Sequence, residues 1–161
     1  MNLTSAATLL PSLENMFGQV HGWTLPTTDM RSTSCHTICQ FQPSFDTIEI
    51  GVFKCTAAQF AFLWFHEAFH FVQFTLQGID SDRYYEALKA FDNVESGKMY
   101  YWITEEREAN MDAYEMCKRM GLTDFIPQHI PAGYFDWHPQ NLRVFFLENS
   151  QEQNNTFTSI K

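Results

Sequence analysis

The sequence predicts an α+β fold: a small antiparallel sheet packed on a helical core, with one apolar helix at its centre. Three observations predict it. Ile48, Ile50 and Val52 alternate with Glu49 and Gly51, the two-residue period of a strand. The stretch 57–76 is apolar over a length that suits a buried helix better than a strand. From Thr104 to Met120, acids gather at the start and bases at the close, as a helix dipole favours.

The elements follow in order. The first thirty residues are mixed, with a short helix expected over "PSLENMFGQV", residues 11–20. Two strands are expected in "TSCHTICQFQPSFDTIEIGVFK", joined around Gln42, Pro43 and Ser44. Thr56, with Gln59 three residues on, forms a capping-box signature for the central helix. That helix should run to about Gln77 and stop at Gly78. A second helix is expected over "SDRYYEALKAFDNV", ending before Gly97, and a third from Thr104 to Met120, closed by Gly121. A loop rich in proline and aromatics, "FIPQHIPAGYFDWHPQ", comes next, then a short helix in "QNLRVFFLE". We expect one domain over 1–146 and a polar tail over 147–161, without repeats or a domain linker.

Composition narrows the function classes. Of 161 residues, 45% are hydrophobic and 18% charged, which fits a chain able to bury a core. The net charge of −9 and only 10 Lys and Arg argue against nucleic acid as a ligand, because phosphate binding needs clustered cations. The start lacks a basic region and a long apolar run, so no secretory signal is expected. The apolar stretch carries Gln59, His66, Glu67, His70 and Gln73, a polar load that makes a membrane span a poor reading. Cys35, Cys39, Cys55 and Cys117 lack the spacing of a disulfide framework and read as reduced thiols of a cytoplasmic protein. "CHTIC" has the look of a metal corner but lacks a second Cys pair.

The chemistry concentrates in "FLWFHEAFHFVQF". His66 and His70 stand four apart, so their rings project from one helix face about one turn from each other. Two imidazoles so placed can reach one ion. Glu67 lies beside such an ion, where it can hold a water and take its proton. The pattern His66-Glu67-Ala68-Phe69-His70 is the HExxH of zinc hydrolases, and Zn²⁺ is the expected cofactor. Gln59, Gln73 and Gln77 extend a polar stripe along the helix, which suggests a lined cleft.

A catalytic zinc site needs a third protein ligand and an open position. In "TEEREANMDAYEMCKRMG" we expect Glu106 as that ligand, with Glu105 as its rival. Asn110 lies four residues after Glu106 on the same face and is expected to hydrogen-bond a ligating histidine. Ala113 and Cys117 continue the face with small side chains, so this helix could lie close to the histidine helix. Glu108 reads as a solvated neighbour. Tyr134 and His129 are candidate donors to a developing oxyanion, with His138, Tyr100 and Tyr101 as alternatives.

HExxH on one helix, then a glutamate on a later one with a polar residue four positions on, resembles the gluzincin metallopeptidases. In that family the position matching Asn110 is an aspartate that orients a histidine. "EREAN" is also similar to the corresponding helix of ImmA/IrrE-type peptidases, which are intracellular. The likeness covers residues 56–120. It implies a minimal zincin core and a zinc-dependent metallopeptidase acting on a peptide or protein substrate, with Glu67 as general base. An extended peptide would then pair along the strand "FDTIEIGVF". The competing reading is an inactive zincin-like module that binds a partner, such as a host protein, through its aromatic surface.

Overall fold

A computed structural model describes residues 1–92, 103–127, 130 and 134–136. Within them lie four α-helices and a three-stranded sheet, an α+β fold. The chain divides into two compact units, Met1–Ile130 and Pro131–Lys161. The first holds every helix and strand named below. In the second, the described residues form a short 3-10 turn, Tyr134–Asp136. The helix expected in 140–148 and the tail 147–161 lie outside the described residues.

Helix α1 spans Leu3–His21, well beyond the expected 11–20. Asn2 caps it, its side-chain oxygen accepting a hydrogen bond from the Ser5 amide at 3.0 Å. Pro11 sits inside the helix on an exposed face and removes one backbone donor. Burial of Ala6, Leu13 and Phe17 along the opposite face carries the helix through that defect.

The sheet contains β1 (Thr27–Ser32), β2 (Ile38–Gln42) and β3 (Thr47–Val52), in the order β1-β3-β2. Strands β2 and β3 are the expected antiparallel pair, linked by a 3-10 turn at Pro43–Phe45 and a left-handed Asp46. Strand β1 was not foreseen, because "TTDMRS" has one large apolar residue and no alternation. It pairs in parallel with β3, Met30 opposite Ile50, so the sheet is mixed and not purely antiparallel. This corrects a second expectation: β3 is the central strand with both edges hydrogen-bonded, so no peptide can add to it. Among the described residues the open edges belong to β1 and β2.

Helix α2 (Ala57–Phe71) starts where the sequence places it, with Thr56 Oγ1 accepting from the Gln59 amide at 3.0 Å. Phe60, Ala61, Phe62, Trp64, Phe65 and Phe71 are all buried along it. A helix apolar on nearly every side has to be covered all round; α1, the β2–β3 face and above all α4 cover it. The α-helical geometry ends at Phe71, and Val72–Leu76 form a wider π turn before Gly78, whose φ of +69° ends the run. Helix α3 spans Ser81–Asp92 and α4 spans Thr104–Arg119. Ala109, Ala113 and Cys117 are buried on α4, and such small side chains permit close approach to α2. Among the described residues no helix is long and apolar enough to cross a membrane.

Candidate metal centre

The seam between α2 and α4 is where His66, His70 and Glu106 meet. All three are buried, with exposures of 8%, 3% and 1%. The two Nε2 atoms lie 3.2 Å apart. Glu106 Oε1 is 3.1 Å from His70 Nε2, and Oε2 is 3.4 Å from His66 Nε2. Glu106 belongs to the first turn of α4, where the helix dipole favours a carboxylate. Glu105, the rival for this position, is not part of the cluster among the described residues; its backbone carbonyl accepts from Gln73.

The outer nitrogens settle which face of each ring points inward. His66 Nδ1 is 3.0 Å from Asn110 Oδ1, and His70 Nδ1 is 2.8 Å from Gln73 Oε1. The orientation of the Gln73 amide is fixed independently. Its Nε2 donates to the Glu105 carbonyl at 3.1 Å and to Glu108 Oε2 at 3.0 Å, both obligate acceptors. His70 Nδ1 therefore donates a proton to Gln73 Oε1, and His66 Nδ1 faces Asn110 Oδ1, which can only accept. In the neutral rings each Nε2 then turns its lone pair toward the other and toward the carboxylate. Three electron-rich groups converging at this range repel unless a proton or a cation lies among them. Glu106 Oε2, moreover, is a buried oxygen without a hydrogen-bond partner among the described residues. Among the described residues this is the one cluster of His, Cys, Asp and Glu close enough to hold a metal ion.

Without a cation, protons take its place. Burial pulls the His66 pKa down, but Glu106 foremost, with Glu67 and Asn110, pushes it up to about 9. Burial raises the Glu106 pKa, yet His66 and His70 outweigh it and hold the group well below the usual carboxylate range. Such mutual shifts mark a cluster that wants one or more positive charges.

Glu67 occupies the flank. The residue is half-buried, and Oε2 accepts a hydrogen bond from the Phe41 amide on the outer edge of β2 at 2.7 Å. Burial raises its pKa above the ordinary carboxylate value; His66, His70 and the Phe41 amide temper that rise. Tyr85, from α3, places its hydroxyl 3.5 Å from the Phe41 carbonyl, on the same strand edge. Burial, then the nearby charges of Glu67 and Glu106, raise the Tyr85 pKa, so the phenol stays a donor. Tyr84, its neighbour, is buried and hydrogen-bonds Glu106 Oε1.

Several residues in the site were not assigned from sequence. Gln73 stood out as part of a polar stripe, but its grip on His70 depends on the π turn that follows α2. Tyr84 and Tyr85 carried no signal beyond their type. Glu108 is not simply solvated, since it anchors Gln73. Of the expected oxyanion donors, Tyr134 lies in the second unit, edge-on to Phe135 at 5.1 Å. His129, His138, Tyr100 and Tyr101 lie outside the described residues. At the "CHTIC" segment, Cys35 and His36 are exposed and Cys39 is half-buried, and all four cysteines are free thiols.

No protein-family model, no curated protein and no solved structure matches this chain.

Proposed function

We propose that the protein is a zinc-dependent peptidase of minimal form, with His66, His70 and Glu106 as the metal ligands and Glu67 as general base. The observation that carries the reading is the convergence of two imidazole nitrogens on one buried carboxylate, His70 Nε2 facing Oε1 at 3.1 Å and His66 Nε2 facing Oε2 at 3.4 Å. A donor set of two histidines and one glutamate suits zinc and leaves a fourth position open. Asn110 and Gln73 support it by fixing the tautomer and angle of each ring.

Zinc held there supplies a Lewis acid that brings the pKa of a water toward 7 and polarises a carbonyl oxygen. The remaining work belongs to the chain. One Glu67 oxygen is tied to the Phe41 amide, which fixes the carboxylate, and no hydrogen bond from the described residues engages the other. Its raised pKa makes it a better proton acceptor than an ordinary carboxylate. In this reading Glu67 takes the proton of the attacking water and later delivers it to the leaving amine. Tyr85, a phenol at the same strand edge, donates to the carbonyl oxygen as negative charge builds on it. Phe74 stacks on His70 and Phe41 stacks on Phe74, an apolar cover that limits bulk water beside the histidines.

A module that merely held an ion would need no base fixed beside it, and Glu67 therefore favours hydrolysis over the inactive-module reading. Metal content of the wild type and Glu106→Ala, measured by elemental mass spectrometry, tests the centre. About one zinc per chain in the wild type, and much less in the variant, is expected. Hydrolysis of a mixed peptide library by the zinc-loaded wild type, lost in Glu67→Gln, is the expected sign of peptidase activity. A wild type that holds zinc and cleaves nothing returns the protein to the binding-module reading.

A further inference from the structure

The two oxygens of Glu106 live in different surroundings. Oε1 accepts a hydrogen bond from the Tyr84 hydroxyl and faces His70 Nε2 at 3.1 Å. Oε2 lies 3.4 Å from His66 Nε2 and, although buried, has no hydrogen-bond partner among the described residues. The difference matters because a carboxylate can hold a metal through one oxygen or through both. A second oxygen on the ion would occupy the position that a water or a substrate carbonyl requires.

Tyr84 is well placed to prevent this. It comes from α3, an element separate from both ligand-bearing helices. Its ring is 5% exposed and packs 5.4 Å from the His70 ring and 5.0 Å from the Phe74 ring, centroid to centroid. Phe74 in turn stacks on His70 at 5.3 Å, its plane within 9° of the imidazole. The phenol is thus fixed by the same aromatic stack that orients one of the metal's histidines. Turning it away from Glu106 would unpack that stack and leave a buried hydroxyl to find another acceptor.

We propose that Tyr84 is a positioning residue that reserves Glu106 Oε1 and leaves Oε2 as the single metal-binding oxygen, which keeps one coordination position open. This rests on the metal reading above and adds the mode by which the third ligand binds. Tyr84 and Tyr85 then divide the labour of adjacent phenols: the buried one sets the ligand, and the half-buried one faces the strand edge.

Cobalt(II) titration into metal-free wild type and Tyr84→Phe tests it, because the visible d–d bands of cobalt are intense in four-coordinate sites and weak at higher coordination. The wild type should bind one cobalt with intense bands. Tyr84→Phe should still bind one cobalt, with band intensity several-fold lower as Oε1 joins the ion. Identical spectra in the two proteins would overturn the inference and leave the metal reading standing. A wild type that takes up no cobalt or zinc would overturn both. Should Tyr84→Phe fail to fold by circular dichroism, infrared difference spectra of zinc-loaded against metal-free wild type decide the matter. A wide gap between the antisymmetric and symmetric carboxylate stretches of Glu106, assigned through Glu106→Gln, supports one-oxygen binding. A narrow gap overturns it.

Discussion

Helix α4 makes two contacts of the same chemical type, about two turns apart, and they behave differently. At its start Glu106 meets His66 and His70; further along, Asp112 Oδ1 meets His21 Nε2 of α1 at 2.9 Å. The second contact is a single pairing, although Asp112 Oδ2, like Glu106 Oε2, is a buried oxygen without a hydrogen-bond partner among the described residues. One imidazole faces one carboxylate, side-chain exposures are 16% and 12%, and the ring rests against Phe17 at 4.6 Å and Phe69 at 5.5 Å. Nothing there brings a second nitrogen toward the carboxylate among the described residues. At the first contact two rings converge, each held from behind by an amide oxygen. What distinguishes the candidate metal centre from a single histidine–carboxylate contact is therefore the convergence of two imidazoles, and not the presence of histidine and carboxylate.

The largest expected effect tests that distinction directly. Glu106→Ala should weaken metal binding by more than about 100-fold, since even supporting residues are worth about 10- to 100-fold. Asp112→Ala should leave the stoichiometry unchanged. Equal losses in a zinc competition titration would erase the contrast between the two contacts. Next comes Glu67→Gln, which should retain the metal while peptide hydrolysis falls by about 10²- to 10⁴-fold, read as initial rates at matched zinc content.

A pH series sharpens the comparison in the metal-free protein. The His66 pKa is raised from 6.5 to about 9 in the folded state. The stabilising charge it shares with Glu106 is therefore fully present below about pH 6.5 and is lost as pH rises through about 9. That loss should be on the order of 3 kcal/mol at most, seen as a falling Tm of the metal-free protein between those values. Glu106 acts at the other limit. Its pKa is depressed, so its contribution is present above the ordinary carboxylate value and is lost only in stronger acid. Zinc must displace the His66 proton, so its apparent affinity should rise with pH up to about 9. An affinity flat across that window would mean that His66 carries no proton to displace.

Gln73→Ala and Asn110→Ala should each lower zinc affinity by about 10- to 100-fold with the far-ultraviolet circular dichroism unchanged. Loss of fold in place of affinity would assign them to α2–α4 packing. Smallest of all, His21→Gln should cost about 1 kcal/mol by denaturant titration, the usual scale for one side-chain hydrogen bond, and leave metal content untouched.

Much of the centre is legible in the sequence because its information is local. The four-residue interval between His66 and His70 fixes a shared face once the segment is helical, and the Thr56 cap with its apolar run makes it helical. The Glu106–Asn110 interval works in the same way on α4. Strand β1 was invisible because its residues are polar and its pairing with β3 comes from a partner twenty residues away, Thr27 opposite Thr47. The length of α1 was hidden by Pro11, whose local cost is offset by distant core contacts.

The sequence by itself determined which side chains could hold a cation: their types and their spacing along two helices. Only the tertiary structure decided that the two helices meet, that Gln73 and Asn110 turn both imidazoles inward, and that Tyr84 engages one glutamate oxygen while the other is left free. The physical reason is the range of the forces involved. Helical periodicity acts over four residues, whereas convergence of donors, burial and the resulting pKa shifts depend on segments that come together only when the core packs.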